Sequence, residues 1–137
     1  MPIVLDTNVL VSSLLKRESK PAAILNAILE SQIELAIDQR IFEEYCEVLH
    51  RPKLNIPTDL ADSILRFIAF SALWVQTHPV EFPQGLIKDS EDLPFAAVAV
   101  CGAAEVLVTG NVKHFAFMSG FSTKVLTPQE FLADYRK

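Results

Sequence analysis

Cysteine, long apolar runs and an export signal are all missing or scarce in this sequence. The two cysteines, Cys46 and Cys101, lack the close spacing of a metal-binding pair, so we expect buried thiols in a reducing cytosol. No apolar run approaches the roughly 18 residues that a membrane span needs. The first residues lack the charged and apolar regions of a signal peptide. These absences predict a cytoplasmic protein that does not associate with a membrane.

Positive charge is also in short supply. Twelve Lys and Arg residues stand against 17 Asp and Glu residues, which gives a formal net charge of −5. This balance argues against nucleic-acid binding through overall charge. The net charge does not exclude a local group of basic residues at the rim of a binding site, because affinity for phosphates depends on where the Lys and Arg residues lie.

Internal repeats and low-complexity segments are absent as well. The chain has 137 residues, half of them hydrophobic, which is enough to bury a sizeable core. We therefore predict one globular domain over residues 1–137.

Short apolar segments alternate with helical ones along the chain. The predicted strands cover residues 3–6, 33–38, 73–77, 105–109 and 124–127. The predicted helices cover residues 7–15, 20–32, 39–51, 59–72 and 93–104, with Thr58 as the cap of the fourth and a last helix opening at Pro128. This alternation predicts an α/β fold in three layers, with a central parallel sheet of about five short strands and helices on both faces.

Polar residues follow several of these strands at the edge where parallel sheets bind ligands. In "PIVLDTNVLV", Asp6 comes directly after a doubly buried strand, where an unpaired charge would cost several kcal/mol. Asp38 ends the second strand, and Thr109 ends the fourth, with Asn111 two residues further along. We therefore expect Asp6 to have a compensating partner.

The helix after the second strand carries a glutamate that points toward the interior. Its apolar face is formed by Ile41, Phe42, Tyr45, Val48 and Leu49. At about 100° per residue Glu44 flanks this face, whereas Glu43 and Glu47 point to water. An ion pair of Glu44 with Arg40 or Arg51 is the alternative interpretation.

Asp92 and Asn111 each have an ordinary structural interpretation too. Asp92 precedes an apolar helix and Asn111 precedes the segment "VKHF", so either residue has the position of a helix cap. If Asp6, Glu44 and Asp92 instead meet at one sheet edge, their charges repel unless a cation lies among them. Hard oxygen ligands of this kind suit Mg²⁺ or Mn²⁺.

Four segments together resemble the PIN-domain nucleases, and more narrowly the prokaryotic PIN proteins that are toxin components of toxin–antitoxin pairs. The segments are "VLDTNVLVSSLL", "IFEEYCEVLHRPKL", "KDSEDLPFAAVAV" and "VLVTGNVKHF". They span nearly the whole chain and occur in the family's order.

The resemblance implies a role for each candidate site residue. It implies metal ligands at Asp6, Glu44 and Asp92, which are also catalytic. It implies positions that support these ligands or contact substrate at Asn8, Asp89 and Thr109. The fourth catalytic position of the family motif is usually Asp, and in this chain it is Asn111. This departure removes one negative charge, and it leaves open whether one metal binds or two.

The resemblance also implies an activity and partners. The activity is metal-dependent hydrolysis of RNA phosphodiester bonds with Mg²⁺ or Mn²⁺, and the partners are an antitoxin protein and further copies of the chain. The apolar segment "ILRFIAFSALW" over residues 64–74 has more apolar character than one exposed helix face needs, so part of it is a candidate contact surface. The histidines His50, His78 and His114 do not cluster in sequence, and no catalytic role is assigned to them.

Two other functions compete with this interpretation. Asn111 favours a degenerate PIN module that binds RNA or a protein without cleaving it. A phosphoryl-binding α/β domain, such as a receiver or a haloacid-type phosphatase, is the third hypothesis. The phosphatase requires a second Asp two residues after Asp6, where this sequence has Asn8. The receiver requires an acid paired with Asp6 and a Lys that closes the fifth strand, but Lys124 opens that strand.

Overall fold

Short parallel strands linked by helices build the fold. The structure is a computed structural model that describes residues 2–136. The strands are β1 (Ile3–Leu5), β2 (Ala36–Ile37), β3 (Leu73–Trp74), β4 (Val106–Val108) and β5 (Lys124–Leu126). The α-helices are α1 (Thr7–Leu15), α2 (Lys20–Leu29), α3 (Gln39–Leu49), α4 (Thr58–Ser71), α5 (Leu93–Cys101) and α6 (Pro128–Tyr135). Single 3₁₀ segments cover Pro52–Leu54, Gln84–Leu86, Ser90–Asp92 and Val112–Met118.

All the strand pairs are parallel, and they fall into two sets. β1, β4 and β5 form a three-stranded sheet with β4 in the middle, while β2 and β3 form a separate pair. One parallel bridge between Ile3 and Leu35 joins the two sets, and the Ile3 N–H donates to the Glu34 carbonyl oxygen at 2.9 Å. The prediction of one continuous five-stranded sheet is therefore corrected to a sheet of three strands with an adjoining pair.

The inner strands are covered on both faces. Every residue of β1 and β4 is buried, and successive side chains of a strand point to opposite faces. α5 packs against β1, β2 and β4, and α6 packs against β4 and β5. This arrangement confirms the predicted α/β fold with helices on both faces of a parallel sheet.

Several predicted boundaries differ from the structure. The second helix ends at Leu29, and Ser31 has a left-handed backbone with a φ of 60°, which stops the helix before residue 32. Thr58 is the first residue of α4 rather than its cap, and the cap position is held by Pro57, which has no side-chain donor or acceptor. The third strand is only two residues long and is exposed.

The fold places Asp6 and Thr109 beside each other. Leu5 of β1 lies opposite Val108 of β4, so the residues that follow these strands emerge at the same sheet edge. The Asp6 N–H donates to the Val108 carbonyl oxygen at 2.9 Å, and α1 begins at Thr7. Asp6 is thus the one residue between β1 and α1.

None of the helices in residues 2–136 has the length and apolar character needed to cross a membrane.

Candidate functional site

An acidic cavity of about 580 Å³ opens at the carboxyl end of the strands. Six of the seven predicted site residues line it: Asp6, Asn8, Glu44, Asp89, Asp92 and Asn111. The seventh, Thr109, is fully buried behind Asp6. Residues from four separate stretches of the chain therefore meet at one cavity, as the argument from strand ends predicts.

Asp6 is a buried carboxylate held by its neighbours. The Thr109 hydroxyl donates to Asp6 Oδ2 at 2.7 Å, and the backbone N–H of Thr7 also donates to this carboxylate. Burial nevertheless raises the pKa of Asp6 above its usual range. The resemblance implies that Asn8 supports the ligands or contacts substrate. Within residues 2–136 its exposed side chain makes no hydrogen bond to Asp6 and faces the cavity instead.

Glu44 is half-buried and accepts a hydrogen bond from the Thr7 hydroxyl. Burial is the main cause that raises the pKa of Glu44, and the negative charges of Asp6 and Glu91 raise it further. Glu43 is exposed on the neighbouring helix position. The burial of Glu44 agrees with its predicted place on the flank of the apolar face of α3, but Glu43 and Glu47, predicted to point away to water, also line the cavity.

The arginines that were alternative partners of Glu44 are paired elsewhere. Arg40 binds Asp38 at 2.9 Å, and Asp38 caps α3 by accepting from the Ile41 N–H at 3.0 Å. Arg51 binds Glu47 one helical turn earlier at 2.8 Å. An ion pair thus does not account for the position of Glu44.

Asp92 lies at the first turn of α5 but does not act as a side-chain cap. It stands at the cap position without accepting any hydrogen bond from the helix backbone. Its Oδ2 atom is buried without a hydrogen-bond partner, and the side chain is only 15% exposed. Burial, followed by the negative charges of Asp6 and Asp89, raises the pKa of Asp92 to about 6. The cap interpretation of this residue is therefore wrong.

Asn111 is exposed at the rim of the cavity. It precedes the 3₁₀ segment Val112–Met118, and its side chain caps nothing there. Its backbone N–H donates to Thr109 Oγ1 at 3.0 Å, so the Thr109 hydroxyl connects Asn111 to Asp6. Within residues 2–136 the amide side chain of Asn111 makes no hydrogen bond, and it lines the cavity.

Two residues of the site were missed from sequence. Thr7 holds Glu44, and His114 lies in the cavity wall with its Nδ1 3.7 Å from Asp92 Oδ2. His114 is the third residue of the 3₁₀ segment that begins after Asn111, and both residues line the cavity. No 3₁₀ segment was predicted from the sequence, so no sequence signal placed His114 at the site.

The donor set fits a hard divalent cation. Carboxylate and amide oxygens dominate the cavity, and these are the ligands that Mg²⁺ and Mn²⁺ prefer. Residues 2–136 hold no preassembled cluster of three His, Cys, Asp or Glu side chains around a single point. In residues 2–136 the Asp92 Oδ2 atom lacks a hydrogen-bond partner, and this atom and the raised pKa values of the three acids are the features that a cation would relieve.

Thr109→Val is expected to destabilise the metal-free protein by about 1.5–3 kcal/mol, because a buried carboxylate loses its hydroxyl donor. Thr123→Val is the matched control, since the buried Thr123 hydroxyl donates only to the neutral Ala104 carbonyl at 2.8 Å. Its expected cost is about 0.5–1.5 kcal/mol. Urea denaturation in EDTA, at a pH where Asp6 is ionised, measures the free energy of unfolding of the wild type and of both variants. Equal costs would show that the Thr109 hydroxyl does not support the charge of Asp6.

Comparison with known proteins gives a family for this chain and a solved structure with a similar fold. The profile of the PIN domain matches residues 2–113. An uncharacterized protein of Methanocaldococcus jannaschii, MJ1680, is 27% identical over 144 residues, which cover 98% of this chain and 92% of that protein.

A solved structure shares the fold. It is the crystal structure of VapBC2 from Rickettsia felis bound to a DNA fragment from their promoter. The match has a TM-score of 0.59 and 18% identity, and it covers 93% of this chain and 98% of that chain. The acids at the strand ends, the shared fold and the match over residues 2–113 lead to one assignment: this chain belongs to the PIN-domain family.

Proposed function

We propose that this protein is a metal-dependent endoribonuclease that hydrolyses RNA phosphodiester bonds, with Asp6, Glu44 and Asp92 as ligands of Mg²⁺ or Mn²⁺. The observation that carries the proposal is Asp92, whose buried Oδ2 atom has no hydrogen-bond partner within residues 2–136 and lies in one cavity with Asp6 and Glu44. A buried carboxylate oxygen without a partner is costly, and a functional ligand is a common reason to keep one. Membership of a family of nucleases supports the same chemistry.

The side chains of the cavity divide the work of the proposed reaction. The chemistry that a bound divalent cation supplies is Lewis-acid activation of the attacking water and neutralisation of charge on the phosphate. Thr109 and Thr7 keep the carboxylates of Asp6 and Glu44 in place by donating their hydroxyl hydrogens. The exposed amide of Asn111 faces the cavity, where it orients water or a phosphate oxygen.

The proposed partners follow from the family and from the surface. The structural neighbour is named VapBC2, which supports a role for this chain as the toxin of a toxin–antitoxin pair with a cognate antitoxin, acting in the cytoplasm. Phe70 at the end of α4 is 94% exposed, and Leu73 and Trp74 beside it are also exposed. These apolar side chains support the expectation of a homodimer or higher oligomer.

Assignment to the PIN-domain family replaces the hypothesis of a receiver or a haloacid-type phosphatase. The degenerate PIN module remains the second candidate, because Asn111 stands where the family motif usually has a carboxylate.

A cleavage assay separates the two candidates. Mixed cellular RNA is incubated with the protein and Mg²⁺ or Mn²⁺, and the new ends are mapped. Cleavage that EDTA abolishes, and that an Asp92→Asn preparation purified in parallel lacks, supports the nuclease. Retention of RNA without new ends in either metal would overturn it in favour of the binding module.

Divalent metal is expected to raise the thermal stability of the wild-type protein. A ligand that binds only the folded state contributes about 2.7 kcal/mol at a hundredfold excess over its dissociation constant. The melting temperature is measured in EDTA, in Mg²⁺ and in Mn²⁺, with Asp92→Asn as the control that should respond weakly. A wild-type melting temperature that neither metal changes contradicts a metal site of useful affinity.

A further inference from the structure

A second cavity, of about 420 Å³, adjoins the acidic one. The two cavities share Asn111 and His114 as lining residues, so these two residues form the wall between them. The second cavity is completed mainly by Lys88, Lys113 and Thr127. It therefore lies on the path of any extended ligand that leaves the acidic cavity past Asn111.

The two cavities have opposite charge. Seven carboxylate residues line the acidic cavity, and its single lining arginine, Arg51, is paired with Glu47. The lining of the second cavity contains no carboxylate and carries two lysines. Lys88 and Lys113 are exposed, and neither forms an ion pair within residues 2–136. The second cavity is thus a local positive site on a protein whose formal net charge is −5.

An RNA substrate needs such a site. A negatively charged protein with an acidic catalytic cavity repels a polyphosphate, and a lysine offset from the cation supplies a point charge that attracts a phosphate group.

We propose that the cavity between Lys88 and Lys113 binds the phosphate of a nucleotide adjacent to the scissile bond of a single RNA strand. Asn111 and His114 then lie between this phosphate and the one in the acidic cavity. The inference rests on the proposed function, because it assumes that an RNA strand enters the acidic cavity.

The test is the salt dependence of RNA binding, with cleavage stopped by EDTA. Binding of a short fluorescein-labelled single-stranded RNA is measured by anisotropy between about 50 and 200 mM salt. Each phosphate contact that is lost lowers the slope of log affinity against log salt by about 0.7 for a single strand. Because both lysines face one proposed phosphate, Lys88→Ala combined with Lys113→Ala is expected to lower the slope by about 0.7.

Lys124→Ala is the matched control. Lys124 is also exposed, but it lies at the amino end of β5, away from the carboxyl ends of the strands, in a cavity that it shares with Glu105 and Asp134. Its substitution removes one positive charge without touching the proposed phosphate site. The slope for this variant is expected to equal that of the wild type.

Three results would overturn the proposal. The first is an unchanged slope in the double lysine variant, and the second is a fall of the same size in the Lys124 variant. The third is no measurable RNA binding by the wild type at the lowest salt. The cleavage assay in Mg²⁺ is read separately. Cleavage by the wild type, together with an unchanged slope in the double lysine variant, would contradict the phosphate site and support the nuclease. A reduced slope in that variant, without cleavage by the wild type, would support the phosphate site and contradict the nuclease.

Discussion

Replacing Asp92 with asparagine is expected to abolish metal-dependent RNA cleavage while the metal-free protein becomes more stable. The substitution removes one proposed metal ligand and one of several mutually repelling carboxylates. Loss of Lewis-acid stabilisation worth several kcal/mol corresponds to a fall in rate of at least about a hundredfold. Asp6→Asn and Glu44→Gln are expected to lower activity to a similar extent. End-mapped cleavage of RNA by each variant measures the effect.

Glu43→Gln is the matched control for the loss of activity. Glu43 is exposed beside Glu44 on α3, and its carboxylate accepts only from the Gln39 amide at 2.8 Å. Glu43→Gln is expected to retain wild-type activity. An inactive Glu43 variant together with an active Glu44→Gln variant would show that the wrong glutamate has been placed in the site.

The gain in stability of Asp92→Asn should depend on pH with a definite sign. The pKa of Asp92 is raised from 3.8 to about 6, so the folded protein holds this proton more tightly than the unfolded chain does. The protonated Asp92 carboxyl makes its whole contribution to the free energy of unfolding below pH 3.8, and this contribution is lost as the pH rises through about 6. The advantage of the asparagine variant should therefore grow from pH 4 to pH 7 in EDTA. Urea denaturation at a series of pH values measures it, and a constant difference would contradict the raised pKa of Asp92.

Asn111→Asp is expected to strengthen metal binding and to destabilise the metal-free protein. Asn111 faces the cavity and its side chain caps no helix, so the change adds a carboxylate with little change of shape. Hard cations prefer carboxylate to amide oxygens, so the Mg²⁺ concentration for half-maximal activity should fall, by of the order of tenfold. Without metal, the new charge adds to the repulsion around Asp6 and Asp92.

The two effects have opposite signs, which makes the comparison informative. Melting temperature is measured in EDTA and in Mg²⁺ for the wild type and for Asn111→Asp, alongside activity against Mg²⁺ concentration. The variant should melt lower than the wild type in EDTA and gain more on addition of Mg²⁺. If neither melting temperature nor activity changes, the side chain of Asn111 lies outside the reacting centre.

Local patterns in the sequence were sufficient for the fold class and for much of the cavity. Apolar runs of a few residues alternating with helical periodicity predicted the parallel α/β fold, because both signals depend on neighbouring residues. Asp6 directly after a buried strand and Glu44 on the flank of an apolar helix face were predicted for the same reason, and both line the cavity. Asp92 and Asn111 kept a second interpretation as helix caps, since a cap and a ligand have the same sequence pattern.

The tertiary structure alone decided the contacts that hold the site together. The Thr7 hydroxyl reaches Glu44 across 37 positions of sequence, and the Thr109 hydroxyl reaches Asp6 across 103 positions. Such contacts depend on which strands pair and in what register, and no local pattern encodes that choice. The register of β1 against β4 put Thr109 behind Asp6, while Asn8, two residues along, turned toward the cavity. The 3₁₀ segment after Asn111 likewise brought His114 beside Asp92, because the direction of a side chain across a cavity is set by the packing of the elements that carry it.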